Sequence, residues 1–308
     1  MNESGTKESH RKSSKVFEIP RYQGAITKVF KSEHGLREIY QQYKKELEQW
    51  PVPYQETTLH SSLGQTFCLK CGDVSKPPLV MLHGLGVNSM SFNPNIEVLS
   101  KNNCIYLLDF PAGSGRSIPS TLLLKNRQVA EWLSDCISQL EQRKVTVLGV
   151  SFGSWLAIEY ALTQPEQLKS LILASPPPLA GKTKLKFSTL MKMIFLGLNK
   201  NKKNTEKLCQ LLSAPNSKPD KSSVIAMYNG LNYTKSFKES GHEIKKECAN
   251  TITVPINFIL GEYEILCDPR SLSGHFPEAK ISIIDNAGHM APIEQSQKFN
   301  QLVVDMMQ

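Results

Sequence analysis

The sequence predicts an α/β protein: a mostly parallel central sheet with helices on both faces and an inserted helical cap. Three observations carry that prediction. Strand-like and helix-like patterns alternate along most of the chain, the order that builds parallel sheets through β-α-β crossovers. Several strand candidates, such as Cys104-Ile105-Tyr106-Leu107-Leu108, are unbroken apolar runs, as expected of strands covered on both faces. The alternation is broken once, from about residue 176 to 250, by a Lys-rich stretch that is helical in pattern.

Residues 1–33 read as a flexible polar tail and connector. From His34 to Trp50, Leu36, Ile39, Tyr40, Tyr43, Leu47 and Trp50 mark one face of a helix, which Pro51 and Pro53 stop. Strands are expected at Thr66–Lys70, Pro78–Leu82, Cys104–Leu108, 145–149, Leu168–Ala174, Ile256–Leu260 and Ile281–Ile284. Helices are expected over Val129–Leu140, directly after Ser151, and over Glu294–Met307. Pro176-Pro177-Pro178 ends one strand region, and the helical patterns beyond it cover Phe187–Leu198, Thr205–Leu212 and Ser223–Tyr228. The resulting organisation is a core of residues 34–175 and 251–308, with residues 176–250 inserted as a cap. The apolar face of the first cap helix (Phe187, Met191, Ile194, Phe195, Leu198) is expected chiefly to pack on the main domain, and secondarily to line a substrate cavity.

Bulk properties narrow the class. At 308 residues, 40% hydrophobic and 21% charged, the chain is long and apolar enough to bury a large core. Its net charge of +8 is uneven: residues 181–250 hold 14 Lys against 5 acidic residues, leaving about −1 for the remainder. Without Arg, interleaved aromatics or a recognition motif, that segment reads as a solvated surface, with attraction to an anionic membrane or substrate as the second reading. No nucleic-acid partner is expected, and membrane association is not expected either, since no apolar run is long enough to span a bilayer. The polar N-terminus has no secretory pattern, and seven scattered cysteines suit buried thiols in a reducing compartment, so a cytoplasmic setting is expected. Cys68 and Cys71 have redox or zinc spacing, but residues three apart on a strand point to opposite faces.

The chemistry-bearing motif is Gly149-Val150-Ser151-Phe152-Gly153, set between an apolar strand and a helical pattern. A tight strand-to-helix turn lifts the Ser151 hydroxyl clear of the backbone, and glycines two residues either side avoid collision. A serine hydroxyl needs an adjacent base. Of seven histidines, His289 alone lies in a loop after the last strand and before the last helix, at the sheet edge where open α/β proteins meet ligands; His242 and His275 are weaker candidates. The imidazole in turn needs an acid. Glu264, in the turn directly off the strand ending at Leu260, is favoured; Asp268 is the alternative acid, and Asp285 and Glu262 are more distant choices. Oxyanion stabilisation calls for backbone N–H donors, for which Phe152, at the start of its helix, and Leu85, in the loop His83-Gly84-Leu85-Gly86, are the candidates. His83 is read as a brace for that loop.

These residues resemble the α/β-hydrolase superfamily, and within it capped bacterial carboxylesterase-like members. The resemblance runs in order from about Pro51 to Gln308 through His83–Gly86, Asp109-Phe110-Pro111-Ala112-Gly113-Ser114-Gly115-Arg116-Ser117, Gly149–Gly153, Gly261-Glu262-Tyr263-Glu264 and Gly288-His289-Met290-Ala291-Pro292-Ile293-Glu294. The Asp109 turn carries one residue more than the usual pattern, and the acid position holds Glu where the family more often has Asp. The resemblance implies the α/β-hydrolase fold and hydrolysis of a small-molecule carboxylic ester through an acyl-enzyme, with no metal or organic cofactor. Thioester or C–C bond hydrolysis, acyl transfer and cofactor-free peroxidation use the same triad, and a ligand-binding protein on the same fold is the non-enzymatic reading.

Overall fold

The computed structural model describes residues 17–111, 113–120, 126–140, 144–235 and 243–308. Its strands are β1 (Tyr54–Ser61), β2 (Gly64–Cys71), β3 (Pro78–Leu82), β4 (Cys104–Leu108), β5 (Ile118–Pro119), β6 (Val145–Val150), β7 (Leu168–Ala174), β8 (Ile256–Gly261) and β9 (Lys280–Ile284). They form one sheet in the order β1-β2-β4-β3-β6-β7-β8-β9, with β5 paired to β2. Every pair from β4 to β9 is parallel, whereas β1, β2 and β5 add an antiparallel edge.

The helices are α1 (Ile26–Val29), α2 (Glu33–Glu48), α3 (Asn93–Leu99), α4 (Asn126–Ser138), α5 (Phe152–Ala161), α6 (Phe187–Leu198), α7 (Lys202–Leu212), α8 (Lys221–Tyr233), α9 (Lys246–Ala249), α10 (Pro269–His275), α11 (Ala291–Glu294) and α12 (Ser296–Met307). Period-two alternation along the strands divides the core in two. Val80 and Leu82 of β3 pack with Trp132 of α4 and Trp155 of α5, while Leu79 and Met81 pack with Ile96 of α3 and Phe299 of α12. The same alternation separates Cys68 from Cys71, each buried in a different one of these clusters. All seven cysteines are free thiols, and only Cys248 is exposed.

Two expectations are corrected. The tail assigned to residues 1–33 does not extend through residues 17–33; residues 1–16 lie outside the described part. Ile26, Val29 and Phe30 are buried with Leu36, Ile39 and Tyr40 in a satellite core, because the spacing in Ile26-Thr27-Lys28-Val29-Phe30 presents three apolar groups to α2. Backbone bonds from Lys31 N–H to Tyr233 O (2.8 Å) and from Lys235 N–H to Val29 O (2.7 Å) fix the segment to the end of α8. Second, the apolar face of α6 does not pack on the main domain. Phe187, Leu190, Met191, Ile194, Phe195 and Leu198 are all exposed, and Leu196 is the one residue of the helix that is buried.

Candidate active site

β6 ends at Val150 and α5 begins at Phe152, so the whole change of direction falls on Ser151, whose backbone is held at φ 52° and ψ −115°. That is a conformation residues with side chains seldom adopt. The turn is tight enough that a Cβ on Gly149 would lie 2.3 Å from Gly153 O, and one on Gly153 would lie 2.2 Å from Leu82 O. Ser151 N–H donates to Ala174 O on β7 at 2.9 Å, and Ser154 Oγ–H donates to Gly149 O at 2.8 Å, tying the elbow to β7 and to the end of its own strand.

His289 descends from the loop between β9 and α11. Its Nε2 is 3.0 Å from Ser151 Oγ, and its Nδ1 is 2.9 and 3.1 Å from the two carboxylate oxygens of Glu264. Glu264 sits in the turn directly after β8, where its N–H donates to Gly261 O at 3.0 Å and its Oε1 accepts from Leu266 N–H at 2.8 Å. It is 1% exposed and His289 6%. Burial alone pushes the Glu264 carboxyl upward, but the His289 imidazole, as charge and as hydrogen-bond donor, together with the Leu266 and Ile265 N–H groups, brings it below its ordinary value.

The other acids have different duties. Asp268 caps α10, its Oδ1 accepting from Arg270 N–H at 3.1 Å. Asp285 pairs with Lys298 at 3.6 Å, and Glu262 accepts from Asn286 N–H at 3.0 Å. Among the described acidic residues only Glu264 meets the imidazole of His289. His275 lies at the end of α10, and His242 falls outside the described residues.

Phe152 is the first residue of α5, and Leu85 lies in the loop after β3, where the Cβ position of Gly84 is 3.6 Å from Ser151 Cβ. Both candidate donors therefore border the elbow. The Leu85 loop is held by His83, which is buried. Its Nδ1–H donates to Gly84 O at 2.8 Å, and its Nε2 accepts from Phe110 N–H at 3.0 Å. Burial lowers the His83 pKa against the opposing pull of Asp109 and the Gly84 carbonyl, in keeping with a neutral bracing ring. Asp109 itself is buried and accepts from Ser89 N–H, Ser89 Oγ–H and Arg116 N–H, closing the longer turn that begins at that residue.

Two contributors escaped the sequence reading. The Glu294 carboxylate accepts from Gly288 N–H at 2.8 Å and from Ala214 N–H at 2.7 Å, while His289 N–H donates to Leu212 O at 2.7 Å. The histidine loop is thus sewn to the end of α7. On α8, a Cβ at Gly230 would come within 2.0 Å of Gly86 O, so α8 lies directly on the Leu85 loop. Glu294 had a signal, since it closes the motif that begins at Gly288; Gly230 had none. No group of three or more His, Cys, Asp or Glu suited to a metal ion occurs among the described residues.

Strand order, elbow, and the Ser151–His289–Glu264 chain together define a class. Residues 77–296 match the family model for the α/β hydrolase fold, and the chain belongs to that family. It is similar to uncharacterized carboxylesterase nap of Bacillus subtilis (strain 168), with 29% identity over 283 residues covering 89% of this chain and 93% of the relative. Carboxylesterase YbfK of the same organism is 24% identical over 290 residues, covering 89% and 95%. Among solved structures, naproxen esterase from Bacillus subtilis superposes with a TM-score of 0.79 at 25% identity, over 90% of this chain and 99% of that one.

Proposed function

We propose that the protein is a serine hydrolase that cleaves carboxylic esters through an acyl-enzyme, with Ser151 as nucleophile, His289 as general base and acid, and Glu264 as the orienting acid. The observation that carries this reading is the continuous chain from Ser151 Oγ through both ring nitrogens of His289 to Glu264, with links of 3.0 and 2.9 Å, on a strained elbow. The esterase relatives support the ester as substrate class.

In the first half-reaction Ser151 Oγ attacks the acyl carbonyl carbon and its proton passes to His289 Nε2. The Nδ1–H remains directed at Glu264, whose carboxylate compensates the imidazolium. Negative charge gathers on the former carbonyl oxygen, and the N–H groups of Phe152 and Leu85 are the proposed donors to it. Collapse of the tetrahedral species breaks the ester C–O bond, and His289 returns its proton to the leaving alcohol. Water then repeats the sequence on the acyl-enzyme and releases the acid. Residues 176–250 are proposed as the cap above this site, reaching it through the contacts of α7 and α8 with the histidine and Leu85 loops.

A fluorophosphonate probe is expected to label the wild-type protein stoichiometrically and to leave Ser151→Ala unlabelled. Folded wild-type protein that takes up no probe would overturn the reading. Turnover of a matched series of chromogenic esters and thioesters then reports reaction class and acyl length together, with esters expected to be hydrolysed.

A further inference from the structure

The outward face of α6 is apolar. Phe187, Leu190, Met191, Ile194, Phe195 and Leu198 follow the i, i+3, i+4, i+7, i+8, i+11 spacing of a single helical stripe, and every one is exposed. Phe187, Phe195 and Leu198 are the most open, at 76%, 65% and 78%. The helix is held from its other side, against α7, and the loop leading into it is tied down where Thr183 Oγ1–H donates to Ile265 O at 2.8 Å. A stripe of this kind turned to water marks an interaction surface.

Its surroundings select the partner. Between Lys182 and Lys207 the chain carries eight lysines and a single acidic residue, Glu206. Lys184, Lys186, Lys192, Lys202 and Lys203 are exposed at the flanks and ends of α6. A second copy of this chain seated on the stripe would bring two such lysine collars together across a two-fold axis, which like-charge repulsion opposes. An anionic lipid surface satisfies both features: acyl chains take the stripe, and phosphate headgroups take the lysines. A helix of 12 residues is about 18 Å long, too short to cross a hydrocarbon core of about 30 Å, so it lies in the interface plane. No helix among the described residues is long and apolar enough to cross a membrane.

We propose that α6 with its lysine collar is a docking surface for anionic membrane interfaces, by which the protein attaches peripherally to lipid. This favours the second reading of the Lys-rich segment, attraction to an anionic surface, over the expectation of no membrane association. It is independent of the ester reading, since the stripe shares no residue with the proposed catalytic machinery.

The test is flotation of the full chain with vesicles of phosphatidylcholine alone and of phosphatidylcholine mixed equally with phosphatidylglycerol. Binding is expected only to the anionic vesicles and is expected to weaken as salt is raised. The Phe195→Ser, Leu198→Ser double variant is expected to weaken it about tenfold or more, because the bound state loses apolar burial. A Lys202→Ala, Lys203→Ala variant is expected to weaken it independently. Unchanged thermal midpoints and unchanged turnover of a short soluble ester show that the variants remain folded. Absence of binding to anionic vesicles overturns the proposal, as does binding that the double variant leaves intact. A dimeric mass in solution that the double variant converts to monomer overturns it in favour of a second copy.

Discussion

Ser151 is held at a positive φ that costs about 1–3 kcal/mol and survives only because the surrounding strands over-determine it. The price of that strain is met by the sheet, and its return is a hydroxyl presented 3.0 Å from an imidazole nitrogen. At the same scale Glu264 and Asp268 separate cleanly. Glu264→Gln replaces an acceptor of the Nδ1–H with a group that can disfavour the required tautomer, and kcat is expected to fall about 10³- to 10⁴-fold with the fold intact. Asp268→Ala removes an N-cap from α10 and is expected to cost about 1 kcal/mol of stability while leaving kcat within a few-fold. If Asp268→Ala abolishes turnover in folded protein while Glu264→Gln does not, the acid is misassigned. The pH dependence of stability has a definite sign. Because the folded-state pKa of Glu264 lies below its ordinary value of 4.5, the ionised carboxylate stabilises the fold above that pH, and this contribution is lost as pH falls through the lower folded-state value. The thermal midpoint of wild type relative to Glu264→Gln is therefore expected to shrink as pH is lowered below 4.5. A difference that grows there instead would contradict the assigned shift.

Elements show which physical signals a sequence carries. Strands β3, β4 and β7 coincide with the expected apolar runs, since strands buried on both faces announce themselves residue by residue. The loops bearing Ser151 and Glu264 were legible because each follows such a strand, β6 or β8. The His289 loop instead follows edge strand β9, legible from its apolar Ile281, Ile283 and Ile284 although only Ile284 is buried. Edge strand β1 was missed: with Leu59 its one buried residue, its pattern is mostly polar and its formation depends on pairing with β2. Helix α3 was missed because Asn93-Pro94-Asn95 reads as a turn, whereas the buried Asn95 Nδ2–H donates to Pro292 O and to Asn300 Oδ1. The α6 stripe was visible as amphipathic, but periodicity states only that one face is apolar, not which way it turns. Contacts between elements were the least legible, and Glu294 is the case with a chemical consequence. As a carboxylate it accepts from Gly288 and Ala214 at once; as Gln it would turn an amide N–H toward one of those donors. Glu294 thereby holds the loop that carries His289, and if His289 is the base, as proposed, Glu294 acts by positioning that ring. Glu294→Gln is expected to lower kcat and the rate of fluorophosphonate labelling about ten- to a hundredfold, with KM changed less than kcat. A fall in thermal midpoint with kcat unchanged would reduce Glu294 to a purely structural clamp.

At the scale of the whole molecule, the N-terminal segment, the inserted helices and the loop proposed to stabilise the oxyanion form one mechanical unit although they are far apart in sequence. Residues 26–31 pack on α2 and pair with Tyr233, Thr234 and Lys235 at the end of α8. Three residues before that end, Gly230 rests on Gly86, the neighbour of Leu85. The position of α8, and through it of the Leu85 loop, therefore depends on an apolar anchor that composition alone assigns to a tail. Phe30 is the largest side chain of that anchor and is 1% exposed. If residues 17–33 were frayed, Phe30→Ala would alter stability by no more than about 0.5 kcal/mol, as at an ordinary surface position. Packed as it is, the substitution is expected to cost about 3–5 kcal/mol, read as a lowered denaturant midpoint with little change in slope. Because the loosened α8 also releases the Leu85 loop, kcat of the still-folded variant is expected to fall, whereas Ser151 should still take up fluorophosphonate, if more slowly. A Phe30→Ala variant with wild-type stability would show that the segment does not anchor α8. One with lost stability but wild-type kcat would show that the anchor stops short of the active site.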